Sequence, residues 1–571
     1  MKRLVWALAG LGAGLTTGCG APPVAPPRTG QVQVQILAFN DFHGHLEPPQ
    51  GSAGKIRVGP NSQGSPQLAK PERGETNPQK DQVDAGGVEY LATHVLERLA
   101  ANPHTAVVAA GDLVGGSPLL SALFHDEPTI EALDLLGLQI AAVGNHEFDE
   151  GFEELLRLQN GGCHPGTGCK GPAPFAGARF QYLAASTVDA ATGQTLFPPY
   201  AVKRFDGIAV AFIGLTLKGT PHIVVPSGVA GLQFRDEAET VNALVPELRR
   251  QGIEAIVLLI HEGGETGAGP DECPGVSGPI VGIVERLDPA VDAVVSGHTH
   301  QAYNCRIGGR LVTSAHRFGT LLTEIDLTLD RRSRDVVSAS AHNLVIRHDR
   351  FTRDGAQTAL IASYAERAAP LARRVVGTLS RPATAERNAA GESRLGRLVA
   401  DAQLAATAAP GQGGAQIALT NPGGLRSPLL PGPGGEVRYE AVFGAQPFSN
   451  QLVTMTLSGA QLKQVLEQQL NDPQDPRLLP VSRGFTYTWD ARRPRGERVL
   501  ADSLMLNGRP IAPGERLRIT VNSYLAEGGD GFRLFTQGTE RLVGMLDVDA
   551  LAAHVGRGAE PDDTERVRRL P

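Results

Sequence analysis

The chain has 571 residues, of which 41% are hydrophobic and 20% charged, and its formal net charge is −7. A chain of this length is too long for one hydrophobic core, so it is predicted to fold as two or three domains. An acidic balance without a basic run argues against nucleic-acid polymers as partners, because those partners require clustered lysine and arginine. No pattern in the sequence indicates a required protein partner.

The first residues have the pattern of an export signal. A basic start is followed by an apolar stretch of twelve residues, Leu4–Leu15, and then by Cys19. Twelve apolar residues are too few to span a bilayer, which takes about 20 residues. Residues 1–19 are therefore predicted to be a lipoprotein-type signal peptide with Cys19 lipidated after cleavage, and cleavage by an ordinary signal peptidase is the alternative. The Pro-rich residues 20–31 are predicted to tether an exported protein to the membrane of the cell envelope.

Five apolar runs in the first 300 residues predict buried strands, because they are short and rich in Val, Ile, Ala or Leu. They are Val34–Phe39, Ala106–Ala110, Ile140–Val143, Ala255–Ile260 and Val291–Val295. A polar motif stands at the end of each run: FNDFHGH at 39–45, AGDLVGG at 110–116, GNHEFD at 144–149, IHEGG at 260–264 and SGHTH at 296–300. The carboxyl ends of strands in an open α/β sheet converge on one rim, so we expect these motifs to meet there.

The polar motifs together contain the side chains that two adjacent divalent metals would need. A single histidine or aspartate after a strand is usually a core or capping residue, so only the joint pattern indicates a site. In Asp-x-His and His-x-His, two side chains that are two residues apart can point at one centre. The predicted ligands are Asp41, His43, Asp112, Asn145, His261, His298 and His300. Seven ligands are too many for one ion, so we predict two ions bridged by Asp112, and this nitrogen and oxygen set suits Zn, Mn, Co or Fe alike.

Four further cysteines form two local pairs, Cys163 with Cys169 and Cys273 with Cys305. Paired cysteines at close spacing in an exported chain predict two disulfides, and metal-binding cysteines are the weaker alternative because no C-x-x-C motif occurs. The second disulfide is expected to brace the loop that carries His298.

Three segments between the motifs have recognisable patterns. Residues 49–82 are rich in Gly, Pro, Gln and Ser, which predicts a disordered surface insertion. Apolar runs at 208–215 and 322–329 are predicted to be strands that close a two-layer β core flanked by helices. Apolar residues at helical spacing between 360 and 375 predict a linker helix, which Pro370 would kink or interrupt.

The order of the motifs, ND-x-H, GD, GNHEFD, H-x-G and GHTH, resembles that of the calcineurin-like metallophosphatases, and GNHEFDEG is similar to their 5'-nucleotidase branch. The resemblance implies one metal on Asp41, His43, Asp112 and His300, and a second on Asp112, Asn145, His261 and His298. It also implies that His146 is the catalytic histidine and Asp149 its partner. The implied organisation is a metallophosphatase domain at 32–345, a linker helix or hinge at 346–376 about which the domains rotate, and a substrate-binding domain at 377–560.

Motifs in the last third of the chain resemble the C-terminal substrate-binding domain of 5'-nucleotidases: ESRLGRLVADA at 392–402, TNPGGLR at 420–426, QPFSN at 446–450 and NSYLAEGGDGF at 522–532. The resemblance implies that Phe448 and Tyr524, the latter standing where phenylalanine is common, sandwich a nucleobase. It implies that Asp530 accepts hydrogen bonds from ribose hydroxyls. Two more residues, Asn421 and Arg426, are implied to contact phosphate or base. The candidate for the arginine that usually stands just before E-S-x-L-G is Arg387, five residues ahead of that motif here.

The predicted fold class is therefore α/β (α+β), with a two-layer β core of the metallophosphatase type and a second α/β domain at the C-terminus. The expected activity is release of phosphate from nucleoside 5'-monophosphates. Hydrolysis of UDP-sugars or 2',3'-cyclic nucleotides on the same site is the alternative. A non-catalytic surface protein that binds nucleotides is a third hypothesis, and it would predict missing ligands, whereas every ligand is present in this sequence.

Overall fold

The computed structural model describes residues 30–49, 51–57, 82–266, 269–471 and 476–570. The predicted signal peptide, the lipidation site at Cys19 and nearly all of the predicted tether lie outside these residues. In the predicted insertion at 49–82, the described part contains a short antiparallel ribbon in which Lys55–Arg57 pairs with Gln82–Asp84. Among the described residues, no helix has the length and apolar character needed to cross a membrane.

The N-terminal domain alternates strands and helices. Its strands are β1 (Gln31–Phe39), β2 (Lys55–Arg57), β3 (Gln82–Asp84), β4 (Thr105–Ala109), β5 (Ile140–Ala142), β6 (Gln181–Leu183), β7 (Thr187–Asp189), β8 (Tyr200–Phe205), β9 (Ile208–Thr216), β10 (Leu232–Phe234), β11 (Ala255–His261), β12 (Ala293–Ser296), β13 (Ala302–Ile307), β14 (Arg310–Ala315), β15 (Leu321–Asp330) and β16 (Val336–Val345). Its helices are α1 (Val88–Ala101), α2 (Leu119–Ala122), α3 (Glu127–Leu136), α4 (Phe152–Asn160), α5 (Glu237–Arg250) and α6 (Pro279–Arg286).

Two six-stranded sheets form the core of this domain. One has the strand order β16-β15-β1-β4-β5-β6 and the other has the order β13-β14-β12-β11-β9-β8. Their inner faces share one buried cluster, to which Val34 and Val108 contribute from the first sheet and Phe212 and Val257 from the second. Each fully buried side chain of this kind contributes about 1.5–3 kcal/mol. Helices α1, α3 and α4 cover the outer face of the first sheet, and α5 and α6 cover that of the second. The predicted two-layer core flanked by helices is confirmed.

The five predicted strands are all present and all end at the same side of the domain. Strands β1, β4 and β5 run parallel to one another, and so do β9, β11 and β12. The runs predicted at 208–215 and 322–329 correspond to β9 and β15, which lie in different sheets. Because parallel strands end at the same edge of a sheet, the polar motifs after β1, β4, β5, β11 and β12 face one another.

The helix predicted between the domains is α7 (Gly355–Ala372). Its first turn is capped by Asp354, whose side chain accepts a hydrogen bond from the Gln357 N–H at 2.9 Å. The ring of Tyr364 packs edge-on against Phe124 of the N-terminal domain, with ring centroids 4.8 Å apart. The expected interruption at Pro370 does not occur, because this residue lies in the last turn, where little of the helix follows it.

The C-terminal domain is a second mixed α/β unit, as predicted. Its strands are β17 (Val375–Thr378), β18 (Ile417–Ala418), β19 (Glu436–Arg438), β20 (Gln451–Ser458), β21 (Phe485–Trp489), β22 (Met505–Leu506), β23 (Arg509–Pro510), β24 (Arg516–Asn522), β25 (Thr539–Leu546) and β26 (Val567–Arg569). Its helices are α8 (Arg394–Thr407), α9 (Tyr439–Ala445), α10 (Gly459–Gln468), α11 (Ser523–Ala526) and α12 (Asp547–Gly556). Four-stranded sheets with the orders β18-β24-β20-β25 and β23-β22-β21-β26 share one buried core.

The two domains are joined by apolar packing as well as by α7. Leu119 of α2, which follows the AGDLVGG motif, belongs to a buried cluster with Leu425 and Phe443 of the C-terminal domain. The loop after β4 therefore touches both domains.

Both predicted disulfides are present, with Cα atoms 4.6 Å apart for Cys163–Cys169 and 5.2 Å apart for Cys273–Cys305. The second disulfide ties the loop before α6 to β13, the strand that begins two residues after His300. It is placed to restrain the GHTH loop from its far end.

Replacing Cys273 and Cys305 with serine should weaken metal binding, because the GHTH loop then gains freedom that metal binding must remove. We also expect a loss of about 2–4 kcal/mol in the free energy of unfolding. Metal affinity can be measured by competition with a chromogenic chelator. The Cys163→Ser/Cys169→Ser variant is the matched control, and equal affinity in the two variants would contradict the bracing role.

Candidate metal centre and adjoining cavity

The loops that follow β1, β4 and β12 place their polar residues on unusual backbone. A positive φ, between 47° and 71°, occurs at five of the seven predicted ligands: Asp41, His43, Asp112, His298 and His300. Non-glycine residues in this left-handed region cost on the order of 1 kcal/mol each. Five strained positions therefore lie at the rim where the motifs meet.

The predicted ligands form two neighbouring groups that share Asp112. In the first group, Nε2 of His300 lies 3.4 Å from Oδ1 of Asp41 and 3.2 Å from Nε2 of His43. In the second group, Nε2 of His261 lies 3.0 Å from Oδ2 of Asp112. The same Asp112 oxygen is 3.6 Å from Nε2 of His43. This carboxylate therefore stands between the two groups, where a bridging ligand would stand.

Asn145 and His298 complete the second group. Nδ1 of His298 lies 3.0 Å from Oδ1 of Asn145. The backbone N–H of His298 is held in place by both carboxylate oxygens of Asp41, at 3.1 and 3.0 Å. The structure thus brings together all seven residues that the motifs predicted.

The ring orientations of the histidines fit metal ions. Nδ1 of His43 donates to the Gly115 carbonyl at 2.8 Å, and Nδ1 of His261 donates to the Ala110 carbonyl at 2.7 Å. A carbonyl can only accept, so Nδ1 of each ring carries a proton, and Nε2 of neutral His43 offers its lone pair. Burial would lower the pKa of His261, but Asp112 raises it to about 10, so this ring also holds a proton on Nε2, which a metal ion would displace. Nε2 of His261 is buried and has no hydrogen-bond partner among the described residues. This nitrogen faces Oδ2 of Asp112 at 3.0 Å, and a buried nitrogen and carboxylate oxygen held this close can both bind one cation.

The pKa shifts of His43, His298 and Asp112 also favour a metal centre. Burial lowers the pKa of His43 well below its usual range and that of His298 to about 4, so both rings are neutral. Burial alone would raise the pKa of Asp112, but neighbouring histidines, His261 first, hold it well below its usual value. Neutral imidazoles and ionised carboxylates are the forms that bind divalent metals.

Glu147, which the motif analysis left without a role, holds the metal loops together. Its carboxylate accepts hydrogen bonds from the backbone N–H groups of Asp112 at 2.9 Å, Leu113 at 2.7 Å and Gly144 at 2.6 Å. The loops after β4 and β5 are therefore tied to one buried side chain. Its place inside GNHEFD was the available signal, but sequence alone could not tell which backbone groups it would meet.

We expect Glu147→Ala to lower the free energy of unfolding by about 2–4 kcal/mol, because three buried N–H groups lose their acceptor. Urea denaturation in the presence of a chelator measures this without a contribution from bound metal. Glu153→Ala, on the exposed side of the neighbouring helix α4, is the control. Equal unfolding midpoints for the two variants would show that the Glu147 carboxylate does not stabilise these loops.

His146 lies beside the metal ligands and is paired with Asp149. Nδ1 of His146 is 2.9 Å from Oδ2 of Asp149, and the His146 ring is 4.8 Å from the His43 ring, centroid to centroid. Burial alone would lower the pKa of His146, but the carboxylates of Asp149 and Asp112 raise it above its ordinary value. The imidazole can therefore keep its second proton near neutral pH.

A cavity of about 280 Å³ runs from the predicted metal ligands into the C-terminal domain. The N-terminal domain contributes Asn145, His146, Asp149, His298 and the apolar residues 223–225. The C-terminal domain contributes Asn421, Gly423, Gly424, Arg426, Phe448, Asn450, Arg477, Tyr524 and Asp530. Five of the six residues predicted to bind substrate therefore line a single cavity next to the predicted metal centre.

Arg387 is the exception, and the structure corrects its predicted place. It lines a separate cavity of about 100 Å³ together with Gly391 and Leu478. The small-residue insertion folds into a tight turn, in which Asn388 N–H donates to the Glu392 carbonyl at 2.8 Å. This turn keeps Arg387 away from the cavity that holds the other predicted substrate ligands.

Two buried guanidinium groups near the predicted metal ligands have no ion-pair partner among the residues described. Arg426 lies over the ring of Phe448, with 5.7 Å between its Cζ and the ring centroid, and its Nη2 makes no hydrogen bond within that part of the chain. Arg317, which the sequence analysis missed, places Nη1 3.2 Å from Nδ1 of His300. Uncompensated buried charges of this kind favour an anionic ligand.

Gly116 explains how the domains approach so closely at this point. A methyl group added there would lie 3.2 Å from Cζ of Phe448 and 3.5 Å from Nε of Arg426, and the backbone has a φ of +56°. A side chain at the second of the two glycines that end AGDLVGG would therefore be strained and would press against Phe448.

Comparison with known proteins agrees with both halves of this arrangement. The family model described as calcineurin-like phosphoesterase matches residues 34–302, and that described as 5'-nucleotidase, C-terminal domain, matches residues 375–537. The cell wall protein Lmo0130 of Listeria monocytogenes is 30% identical over 574 residues, which cover 94% of this chain and 69% of that protein. The endonuclease YhcR of Bacillus subtilis is 31% identical over 534 residues, but this chain spans only 40% of its length.

The fold agrees with a solved structure as well. The 5'-nucleotidase precursor from Thermus thermophilus superposes with a TM-score of 0.74 at 25% identity, over 94% of this chain and 99% of that one. The chain is accordingly a metallophosphoesterase-type hydrolase, and it belongs to the 5'-nucleotidase family.

Proposed function

We propose that this protein releases phosphate from nucleoside 5'-monophosphates with the aid of two divalent metal ions. The observation that carries the proposal is the single cavity with His146 and two predicted metal ligands at one end and Phe448, Tyr524 and Asp530 in its C-terminal wall. A nucleotide has the same two ends, a phosphate and a flat base joined by a sugar.

In this proposal the two groups of ligands described above hold one metal each, with Asp112 shared. When bound, two such ions would polarise a phosphoryl oxygen and lower the pKa of a water molecule, which supplies a nucleophile near neutral pH. The donor set, imidazole with carboxylate and one amide oxygen, suits Zn, Mn, Co or Fe.

The protein's own side chains would then stabilise negative charge on the phosphoryl group and orient the substrate. His146 keeps its proton through its bond to Asp149 and faces the cavity, so it can stabilise negative charge that grows on the phosphoryl group or the leaving oxygen. Arg426, which lies over the Phe448 ring and has no ion-pair partner among the described residues, can bind phosphate oxygens. Arg317 offers a second guanidinium beside the first group of ligands, with Nη1 3.2 Å from Nδ1 of His300.

The C-terminal wall of the cavity would recognise the nucleoside by stacking and by hydrogen bonds, beginning at Phe448, whose ring lies 5.7 Å from that of His146, centroid to centroid. Phe448 and Tyr524 supply ring faces, each of which contributes roughly 1–3 kcal/mol when a base stacks on it. Asp530 and Asn421 supply hydrogen-bonding groups for the sugar and base. Stacking is tolerant of base identity, so we expect activity on purine and pyrimidine nucleotides.

The place of action is proposed to be the cell envelope, with the chain exported and anchored through Cys19. The name of the Listeria relative, a cell wall protein, and that of the Thermus relative, a precursor, support export. Residues 32–345, 346–376 and 377–560 are the proposed domain, hinge and domain. Both domains line the cavity, so the domain rotation that the family resemblance implies would open and close it.

A panel of substrates tests the proposal. The full chain is stripped with a chelator, reloaded with Mn, Zn or Co, and assayed with AMP, ADP, ATP, UDP-glucose and 2',3'-cyclic AMP. We expect AMP to give the highest kcat/KM and the metal-free protein to be inactive. Hydrolysis of UDP-glucose or the cyclic nucleotide with no release of phosphate from AMP, under every metal, would refute the proposed activity.

A further inference from the structure

The hydroxyl of Tyr524 forms a closed pair of hydrogen bonds with Asp530. The hydroxyl donates to Oδ1 of Asp530 at 2.8 Å, and the Asp530 backbone N–H donates to the same hydroxyl oxygen at 2.9 Å. Burial and the nearby carboxylate raise the pKa of Tyr524 far above its ordinary value, so the hydroxyl keeps its proton and remains a donor.

These two bonds fix an aspartate whose backbone is strained. Asp530 has a φ of 53° and a ψ of 18°, in the left-handed region that non-glycine residues rarely adopt. The flanking residue Gly529 lies against the Tyr524 ring so closely that an added methyl group would be 2.5 Å from Cε2. One face of the ring is thus covered by the same turn that carries Asp530, and the ring and carboxylate form one rigid unit.

The same carboxylate is approached from a second side. The Asn522 side chain donates to Oδ1 of Asn421 at 2.8 Å, which leaves the Asn421 amide N–H groups for Asp530 beside it. Tyr524 and Asn421 therefore restrain the carboxylate from two directions. Asp530 lines the cavity together with both of these residues.

A nucleotide has hydroxyl donors only on its sugar, and a ribose has two where a 2'-deoxyribose has one. A carboxylate with a fixed orientation distinguishes the two sugars best, because it cannot rotate to recover the missing contact. A phenylalanine at position 524 would stack on a base equally well but would remove both hydrogen bonds of the Tyr524 hydroxyl, so that Asn421 alone would restrain the Asp530 side chain.

We propose that Tyr524 makes the protein selective for ribonucleotides over 2'-deoxyribonucleotides, by fixing the Asp530 carboxylate toward the ribose hydroxyls. The inference rests on the proposed binding of nucleotides in this cavity. It makes Tyr524 a positioning residue as well as a stacking surface.

The test compares adenosine with 2'-deoxyadenosine by calorimetric titration of the full chain, and AMP with 2'-deoxy-AMP by kcat/KM. We expect the wild-type protein to favour the ribose form about tenfold or more, the value of one charge-assisted hydrogen bond. Tyr524→Phe should reduce this preference to about twofold or less, mainly by weakening the ribose form. Asp530→Asn should do the same, and the double variant should lose no more than either single variant.

Tyr439→Phe is the matched control, because it also removes a tyrosine hydroxyl that is bonded to an aspartate, Asp549, away from the cavity. It should leave the preference unchanged. A Tyr524→Phe protein that keeps the wild-type preference overturns the inference, as does a wild-type protein with no preference. A third outcome separates the two proposals. If AMP is not hydrolysed, the proposed activity fails. If the wild-type protein nevertheless binds adenosine more tightly than 2'-deoxyadenosine, and Tyr524→Phe loses this difference, the inference stands. Absence of both nucleoside binding and AMP hydrolysis refutes both.

Discussion

Asp112→Ala should abolish hydrolysis and leave the protein unable to retain two metal ions. Asp112 is the residue whose carboxylate lies between the two ligand groups, 3.0 Å from His261 and 3.6 Å from His43. Without it, each group loses a charged ligand, and the histidines are left facing one another. We expect kcat/KM for AMP to fall by roughly 10³-fold or more, because metal ions supply several kcal/mol of transition-state stabilisation.

Metal content is the readout that separates this effect from simple loss of structure. Elemental analysis after dialysis should find clearly less than two ions for each chain, while circular dichroism remains that of the wild type. Asp349→Ala, at an exposed surface aspartate, should keep both metal and activity. Wild-type hydrolysis of AMP by Asp112→Ala would refute the assignment of the centre.

His146→Ala should lower kcat by roughly 10²–10³-fold while metal content stays at the wild-type level. The His146 side chain faces the cavity and lies beside the ligands, and its pKa is raised by Asp149 and Asp112. Removing it should therefore take away charge stabilisation without removing a metal ligand. Asp149→Asn should give a smaller loss, because the imidazole remains but its proton is held less firmly.

His104→Ala is the control for this variant, since His104 stands just before β4, at the opposite end of that strand from Asp112. It should be fully active. A drop in metal content as large as that of Asp112→Ala would make His146 a ligand rather than a charge-stabilising residue. An unchanged kcat would remove it from the mechanism.

Most of the metal centre could be predicted from the sequence because local patterns determine it. Strand ends are signalled by apolar runs, and parallel strands leave no choice about the side on which those ends meet. The spacing of Asp41 and His43, or of His298 and His300, is also a local property. Seven of seven predicted ligands therefore lie together in the structure.

Contacts between segments that are distant in the sequence could not be predicted from local patterns. Glu147 binds backbone groups 35 residues away along the chain, and Arg317 meets His300 across a hairpin. Glu147 lies inside the GNHEFD motif, but the motif does not show which backbone groups its carboxylate meets, and Arg317 lies in none of the five motifs. The place of Arg387 was predicted wrongly because a short insertion changes the direction of the chain. The sequence does not show in which direction a tight turn points the residue beside it.

The C-terminal half of the site depended on the resemblance far more than on local pattern. Phe448 and Tyr524 are ordinary aromatic residues by sequence, and only the fold places them in one cavity with His146. The apolar residues 223–225 and Arg477 line that cavity too, but they come from loops whose composition gives no sign of it.

The left-handed backbone of the ligand loops implies a trade-off between the stability of the fold and metal binding during the evolution of this protein. Glycine adopts that conformation without strain, so a glycine at His298 would relieve on the order of 1 kcal/mol while removing an imidazole. The same holds at Asp41, His43, Asp112 and His300. Selection for stability of the metal-free chain alone would thus favour replacing the ligands by glycine, one residue at a time. Only selection for metal binding opposes these replacements.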